Sequence, residues 1–159
     1  MSIIVPNQAE KNILKLLLKL IPGDPGDINY DDDLYINLYN DDITLSEDTT
    51  LINFEDVKVD PDLFDEAEDP NQRILTKDEW SLTTGGDGIA IADEKTLKLK
   101  GGGAGNDEPY IVYGYYITKG PSKDHENNIL LWAERFPGNG FNVGGTGAEI
   151  KLTLRLEVD

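Results

Sequence analysis

The sequence predicts a mainly β protein: an antiparallel β-sandwich or jelly-roll-like domain carrying one N-terminal amphipathic helix. Three features lead there. From residue 33 onward the apolar residues recur with a period of two, as half-buried strands require. Clusters of Gly, Pro, Asn and Asp punctuate these runs at short intervals, the spacing of turns between strands. Ahead of them the period is helical, and it stops at Pro22-Gly23. A chain of 159 residues fits one domain of ordinary size. We therefore divide it into an N-terminal helical segment, 1–23, with its helix over 7–21, and a single β domain, 24–159, with acidic loops in 24–70.

The helix starts at Asn7-Gln8-Ala9-Glu10, a capping-box spacing in which the Asn7 side chain accepts from the Glu10 N–H and the Glu10 carboxylate reaches back. Lys11, Lys15 and Lys19 then share one stripe, and Ala9, Ile13, Leu16, Leu17 and Leu20 share another, widened by Leu14, Leu18 and Ile21. So broad an apolar face needs a sheet or a partner subunit to cover it. Lys15 and Lys19 interrupt the run that a signal peptide would need, and no stretch approaches the roughly 20 apolar residues of a membrane span. The expectation is neither export by that route nor a membrane partner.

Between residues 24 and 70 lie 17 of the 31 acidic residues and a single base, Lys58. This stretch holds nearly all of the chain's net charge of −17, and it is built as loops (Asp24-Pro25-Gly26-Asp27, Asp31-Asp32-Asp33, Asp60-Pro61, Asp69-Pro70) around short apolar runs. A pI near 4.2 argues against nucleic acid as a partner, since phosphates must be neutralised by Lys and Arg. The stretch reads as a solvated surface, a cation site or a face for a basic partner.

The first strand is Leu34–Tyr39, in which Leu34, Ile36 and Leu38 alternate with Tyr35, Asn37 and Tyr39. Trp80–Leu82, Gly88–Ile91, Thr96–Leu99, Tyr110–Thr118 and Ile129–Phe136 follow. The last strand is the clearest: Ile150, Leu152, Leu154, Leu156 and Val158 face one way and Glu149, Lys151, Thr153, Arg155 and Glu157 the other, which implies a sheet with one wet side. Tyr110–Thr118 and Ile129–Phe136 flank a ten-residue polar loop, Lys119–Asn128, and read as a hairpin pair.

Catalytic chemistry finds little purchase. With no cysteine and one histidine, His125, neither a zinc set nor a thiol nucleophile can be assembled, and no serine lies in a Gly-x-Ser-x-Gly elbow. Gly101-Gly102-Gly103-Ala104-Gly105 is followed by Asn106-Asp107-Glu108-Pro109 and not by the Lys-Ser/Thr of a phosphate loop, so it reads as a flexible loop, as do Thr84–Gly88 and Asn142–Gly147. The acidic loops lack the calcium spacing of an EF-hand, although Asp24, Asp27 and Asp31–Asp33 together offer the carboxylates a hard cation wants.

Glu134 is the one acid set among apolar neighbours, in Leu130-Leu131-Trp132-Ala133-Glu134-Arg135-Phe136. Strict alternation puts it on the face of Leu130 and Trp132, with Arg135 on the face of Leu131 and Ala133. A structural ion pair or sheet-edge cap is one reading of it, and a general acid of a small glycosidase the other. Tyr35, Tyr39, Tyr113 and Tyr115 would suit sugar stacking if exposed and are ordinary strand formers if not. Catalytic residues, cofactor and resident metal are all expected to be none.

Val112-Tyr113-Gly114-Tyr115-Tyr116-Ile117-Thr118, a loop, Leu130–Phe136 and an alternating last strand together resemble a group of small structural proteins of tailed bacteriophages. The likeness extends to the helix before the Leu-Tyr-Ile-Asn-Leu-Tyr strand and to Trp80 opening a central strand; the acidic 24–70 stretch departs from it. The resemblance implies a virion protein assembled in the host cytoplasm. Its role would be that of a head decoration (cement) protein or tail component, without a catalytic site. Its partners would be the major capsid protein, other virion subunits and further copies of itself, with a trimer implied. Ile13, Leu16, Leu17, Leu20, Trp132 and Phe136 are the expected interface anchors. The alternatives are a tail-associated carbohydrate-binding adhesin and a carboxylate-dependent glycosidase.

Overall fold

The computed structural model describes residues 34–65, 67, 69–76, 79–82, 88–100, 110–119, 129–144 and 148–158. The expected helix over 7–21 and the acids Asp24 to Asp33 lie outside the described residues, as do His125 and the Gly101–Gly105 run. What is described is mainly β and antiparallel. Eleven strands follow one another: β1 (Leu34–Tyr39), β2 (Ile74–Leu75), β3 (Trp80–Leu82), β4 (Gly88–Ala92), β5 (Lys95–Leu99), β6 (Tyr110–Val112), β7 (Gly114–Lys119), β8 (Ile129–Arg135), β9 (Phe141–Val143), β10 (Ala148–Leu152) and β11 (Arg155–Val158). Short 3₁₀ turns occupy Leu51–Phe54 and Pro61–Leu63. The chain divides into two compact units, one drawn from Met1–Val59 and Tyr110–Asn142, the other from Asp60–Pro109 and Val143–Asp159.

In the first unit β7 lies between β1 and β8. Leu38 pairs with Tyr115 and Ile36 with Ile117 across β1–β7, while Tyr115 pairs with Glu134 and Ile117 with Trp132 across β7–β8, so these side chains share one face. The expected hairpin pair is thus an antiparallel ladder. Both faces are buried: Ile36 to Tyr39, all of β7, and Leu130 to Glu134 are hidden from solvent. The opposite face carries Tyr39, Tyr116, Leu130 and Ala133, packed with Leu45 and Phe54. The Phe54 ring stacks on Tyr116 with centroids 4.2 Å apart and tilts against Tyr39 at 5.5 Å.

Two expectations are corrected here. The register slips between Ile117 and Thr118, so that Thr118 faces Leu130 and Leu131 is the extra residue of a bulge. This turns Leu130 to the face of Ala133, not to that of Trp132 and Glu134. The expected continuous strand Tyr110–Thr118 also breaks, at Tyr113. Its N–H donates to the Tyr39 carbonyl (2.9 Å) and its carbonyl accepts from Phe136 N–H (2.8 Å), while β6 goes on to pair with β9.

In the second unit β5 pairs with β10 and β4 with β11, Leu152 opposite Lys95 and Arg155 opposite Ile91. The two ladders run in line. The residues between them are Ala92 to Glu94 on one side and Thr153 and Leu154 on the other, an unequal count that interrupts the ladder as a bulge does. The final strand expected to be continuous is therefore two, although its alternation holds: Ile150, Leu152 and Leu154 are buried, and Glu149, Lys151, Thr153 and Arg155 are exposed. β3 pairs with the other edge of β4, so that among the described residues Trp80 opens a strand at the margin of its sheet and not at the centre. Leu63 to Asp65 runs beside β5, with Asp65 N–H on the Lys98 carbonyl (2.8 Å) and Lys100 N–H on the Leu63 carbonyl (2.7 Å). The Gln72 side chain supplies a further acceptor, taking Lys98 N–H at 2.5 Å.

Candidate functional site

Of the expected anchors, Ile13, Leu16, Leu17 and Leu20 lie outside the described residues. Trp132, on β8, and Phe136, which follows it, are buried in the first unit, 2% and 6% exposed. Their side chains build the interior and offer no surface of their own. The aromatics weighed for sugar stacking divide in the same way: Tyr39 and Tyr115 are core, and only Tyr35 and Tyr113 are half-exposed.

Glu134 is the most unusual buried group. Its Oε2 accepts a hydrogen bond from the Tyr115 phenol at 2.5 Å, while Oε1 is buried with no hydrogen-bond partner. Burial first, and then the Glu134 carboxyl, hold Tyr115 well above the ordinary phenol range, against the smaller opposing effect of Trp132. Burial likewise raises Tyr39, whose phenol donates to the Glu134 carbonyl at 3.3 Å. The neighbouring Arg135 is turned outward and pairs with Asp42 at 2.6 Å, so the expected ion pair on this strand belongs to the arginine. Glu134 itself is 5% exposed and faces inward.

The cation site weighed for Asp24, Asp27 and Asp31–Asp33 falls on residues that are not described. Among the described residues no group of three or more His, Cys, Asp or Glu side chains could hold a metal ion. Among them, too, no helix is long and apolar enough to cross a membrane.

What the first unit does present is apolar surface on fixed supports. Ile52 (78% exposed), Phe141 (49%) and Ile111 (37%) are the exposed large apolar side chains of the described residues. Ile52 sits on the Leu51–Phe54 turn, two residues before Phe54, which is fully buried. The turn is closed by Thr50 N–H on Asn53 Oδ1 (2.8 Å) and by Asn53 N–H on the Thr50 carbonyl (3.1 Å). Exposed Glu47, Asp48, Glu55 and Asp56 flank it in sequence. Phe141 meets Phe136 edge-on at 4.8 Å, and Phe136 lies 5.9 Å from Tyr115, so the exposed ring rests on the buried aromatic array. Gly138 and Gly140, both at positive φ, shape the turn that delivers it.

Sequence reasoning missed Ile52, Ile111 and Phe141. The available signal was Phe141 directly after a Pro-Gly-Asn-Gly turn, a place where a large ring has few neighbours of its own strand. In comparisons with protein families, curated proteins and solved structures, the chain matches none.

Proposed function

We propose that the chain is a non-enzymatic structural protein of a tailed-bacteriophage virion, a capsid decoration protein that stabilises the head by binding neighbouring capsid subunits. Support comes first from the YGYY…LLWAERF likeness. The observation that carries a docking role is the Ile52 turn: a side chain 78% exposed, held out on a hydrogen-bonded loop, in a run with six acids and no base between Asp41 and Val57. An apolar tip within carboxylates suits a partner that offers an apolar socket with a basic rim. The finer architecture belongs to the same reading: a sandwich or jelly-roll arrangement of the strands, with the 7–21 helix adding Ile13, Leu16, Leu17 and Leu20 to the contact.

The test is incorporation. Purified particles carrying the wild-type chain should show it at fixed stoichiometry on the head by immunolabelling. Ile52→Lys, an exposed change that leaves the fold intact, should lower occupancy about tenfold. A chain found only free in the host cytosol, or an occupancy indifferent to Ile52→Lys and to Ile52→Asp alike, overturns the reading.

A further inference from the structure

We infer that the exposed edge of the first unit formed by Tyr110–Val112 and Pro137–Asn142 is where two copies of this chain meet. The inference does not depend on the docking of the Ile52 turn. It rests on where charge is missing. A chain of net charge −17 repels itself, and any contact between copies has to avoid bringing carboxylates face to face. Residues 109–118 and 136–148 contain no charged side chain at all, in a protein 28% of whose residues are charged. The fold pairs the uncharged strands β6 and β9 and turns Ile111 and Phe141 outward.

Ile111 and Phe141 are also set in place before any partner arrives. Gly140 has φ +79°, and a Cβ there would lie 2.6 Å from the Val112 carbonyl oxygen and 2.9 Å from Ile111 Cγ2. The turn therefore packs directly against β6, bringing the segment that carries Phe141 beside Ile111. The Phe136 ring supports Phe141 from within. Little side-chain freedom remains to be lost on association. A contact between copies would set the Phe141 ring of one on Ile111 of the other, with Asn139 and Asn142 as its uncharged polar rim. A different protein that bound the acidic chain electrostatically would be drawn elsewhere, to the carboxylates of residues 41–56.

Analytical ultracentrifugation of the full chain from about 1 µM to about 1 mM tests this. Self-association should be reversible and should strengthen with added salt, because salt screens the repulsion between copies and leaves the apolar contact in place. Phe141→Asp should weaken it at least about tenfold. Asn142→Asp, exposed and nearly isosteric, should weaken it in the same direction without disturbing packing, so a loss of fold in the first variant does not decide the outcome. A chain that stays monomeric across the range overturns the inference. So does self-association that neither variant changes, or a ribbon that proves to bind only a different protein.

Discussion

The two units solve the problem of burying a sheet in different ways. In the second, β10 and the residues after it alternate strictly, with Ile150, Leu152 and Leu154 inside and charged or polar neighbours outside. Those outer residues make cross-strand pairs in water: Lys98 with Glu149 at 4.0 Å and Lys151 with Glu94 at 3.9 Å. In the first unit the sheet has no wet side along most of β1, β7 and β8, so its polar groups must find each other. Asn37 Nδ2 donates to Thr118 Oγ1 at 2.9 Å, Tyr39 to the Glu134 carbonyl, and Tyr115 to the Glu134 carboxyl. Mutational cost should accordingly be steep in the first unit and shallow in the second.

The sharpest break of that contrast is Gly114→Ala. Gly114 lies where Tyr39 and Arg135 flank it in register, and an added Cβ would collide with the Glu134 carbonyl oxygen and the Tyr39 phenol. The first of these is backbone and cannot rotate away. We expect a loss of more than about 3 kcal/mol, the upper range of overpacking. With Trp80 replaced by Phe, Trp132 fluorescence in a urea titration reports on the first unit alone. An unchanged midpoint would mean that β8 does not crowd β7 at this point.

Next in size is Tyr115→Phe, which removes the phenol that donates to the buried Glu134 carboxyl at 2.5 Å. Leaving a buried polar group unsatisfied costs about 1–3 kcal/mol. The same phenol sets an alkaline limit. Its folded pKa is raised above the unfolded value, so its contribution to stability is complete below about pH 10 and is lost as pH rises beyond that. Tyr39 acts with the same sign. Tyrosinate absorption should therefore appear together with loss of the Trp132 signal on alkaline titration, and Tyr115→Phe should separate the two in part. Free ionisation of all tyrosines near pH 10 in a still-folded chain would contradict the buried array.

How much of this was legible beforehand follows the same division. Strands with a wet side announce themselves, and the alternation over 149–155 survives even where the ladder breaks at Thr153–Leu154. That break was invisible because it depends on the unequal count of residues on the partner, Ala92 to Glu94, and not on the strand itself. In the first unit the strand positions were readable from aromatic and branched residues, but the faces were not. A bulge at Leu131 reverses the alternation for Leu130, and burial of both faces erases the distinction between Tyr35, half-exposed, and Tyr39, fully hidden. Glu134 stood out correctly as a carboxyl among apolar residues, yet its partner Tyr115 comes from cross-strand register. Trp132 and Phe136 look like anchors because large aromatics mark both cores and interfaces, and only the covering of β8 decides between them.

The smallest effect expected is the one that tests the second unit. Glu79 accepts from Thr76 N–H at 2.6 Å and pairs with Lys95, an arrangement on the surface side of β5 with both side chains partly exposed. Burial there works against the carboxylate, but the hydrogen bonds from Lys95 and Thr76 together outweigh it and hold Glu79 below the usual carboxylate range. A depressed folded pKa stabilises the fold above the unfolded pKa, and that contribution disappears as pH falls through the folded value. Water screens the pair, so its whole contribution should stay below about 1 kcal/mol. Glu79→Gln should shift the acid limb of Trp80 fluorescence slightly toward neutral pH, and Glu94→Gln, which loosens the exposed 3.9 Å pair with Lys151, should not move it. Were Glu94→Gln to cost as much as Glu79→Gln, or either to cost as much as Tyr115→Phe, the second unit would depend on its charges in a way that a sheet with a wet face does not explain.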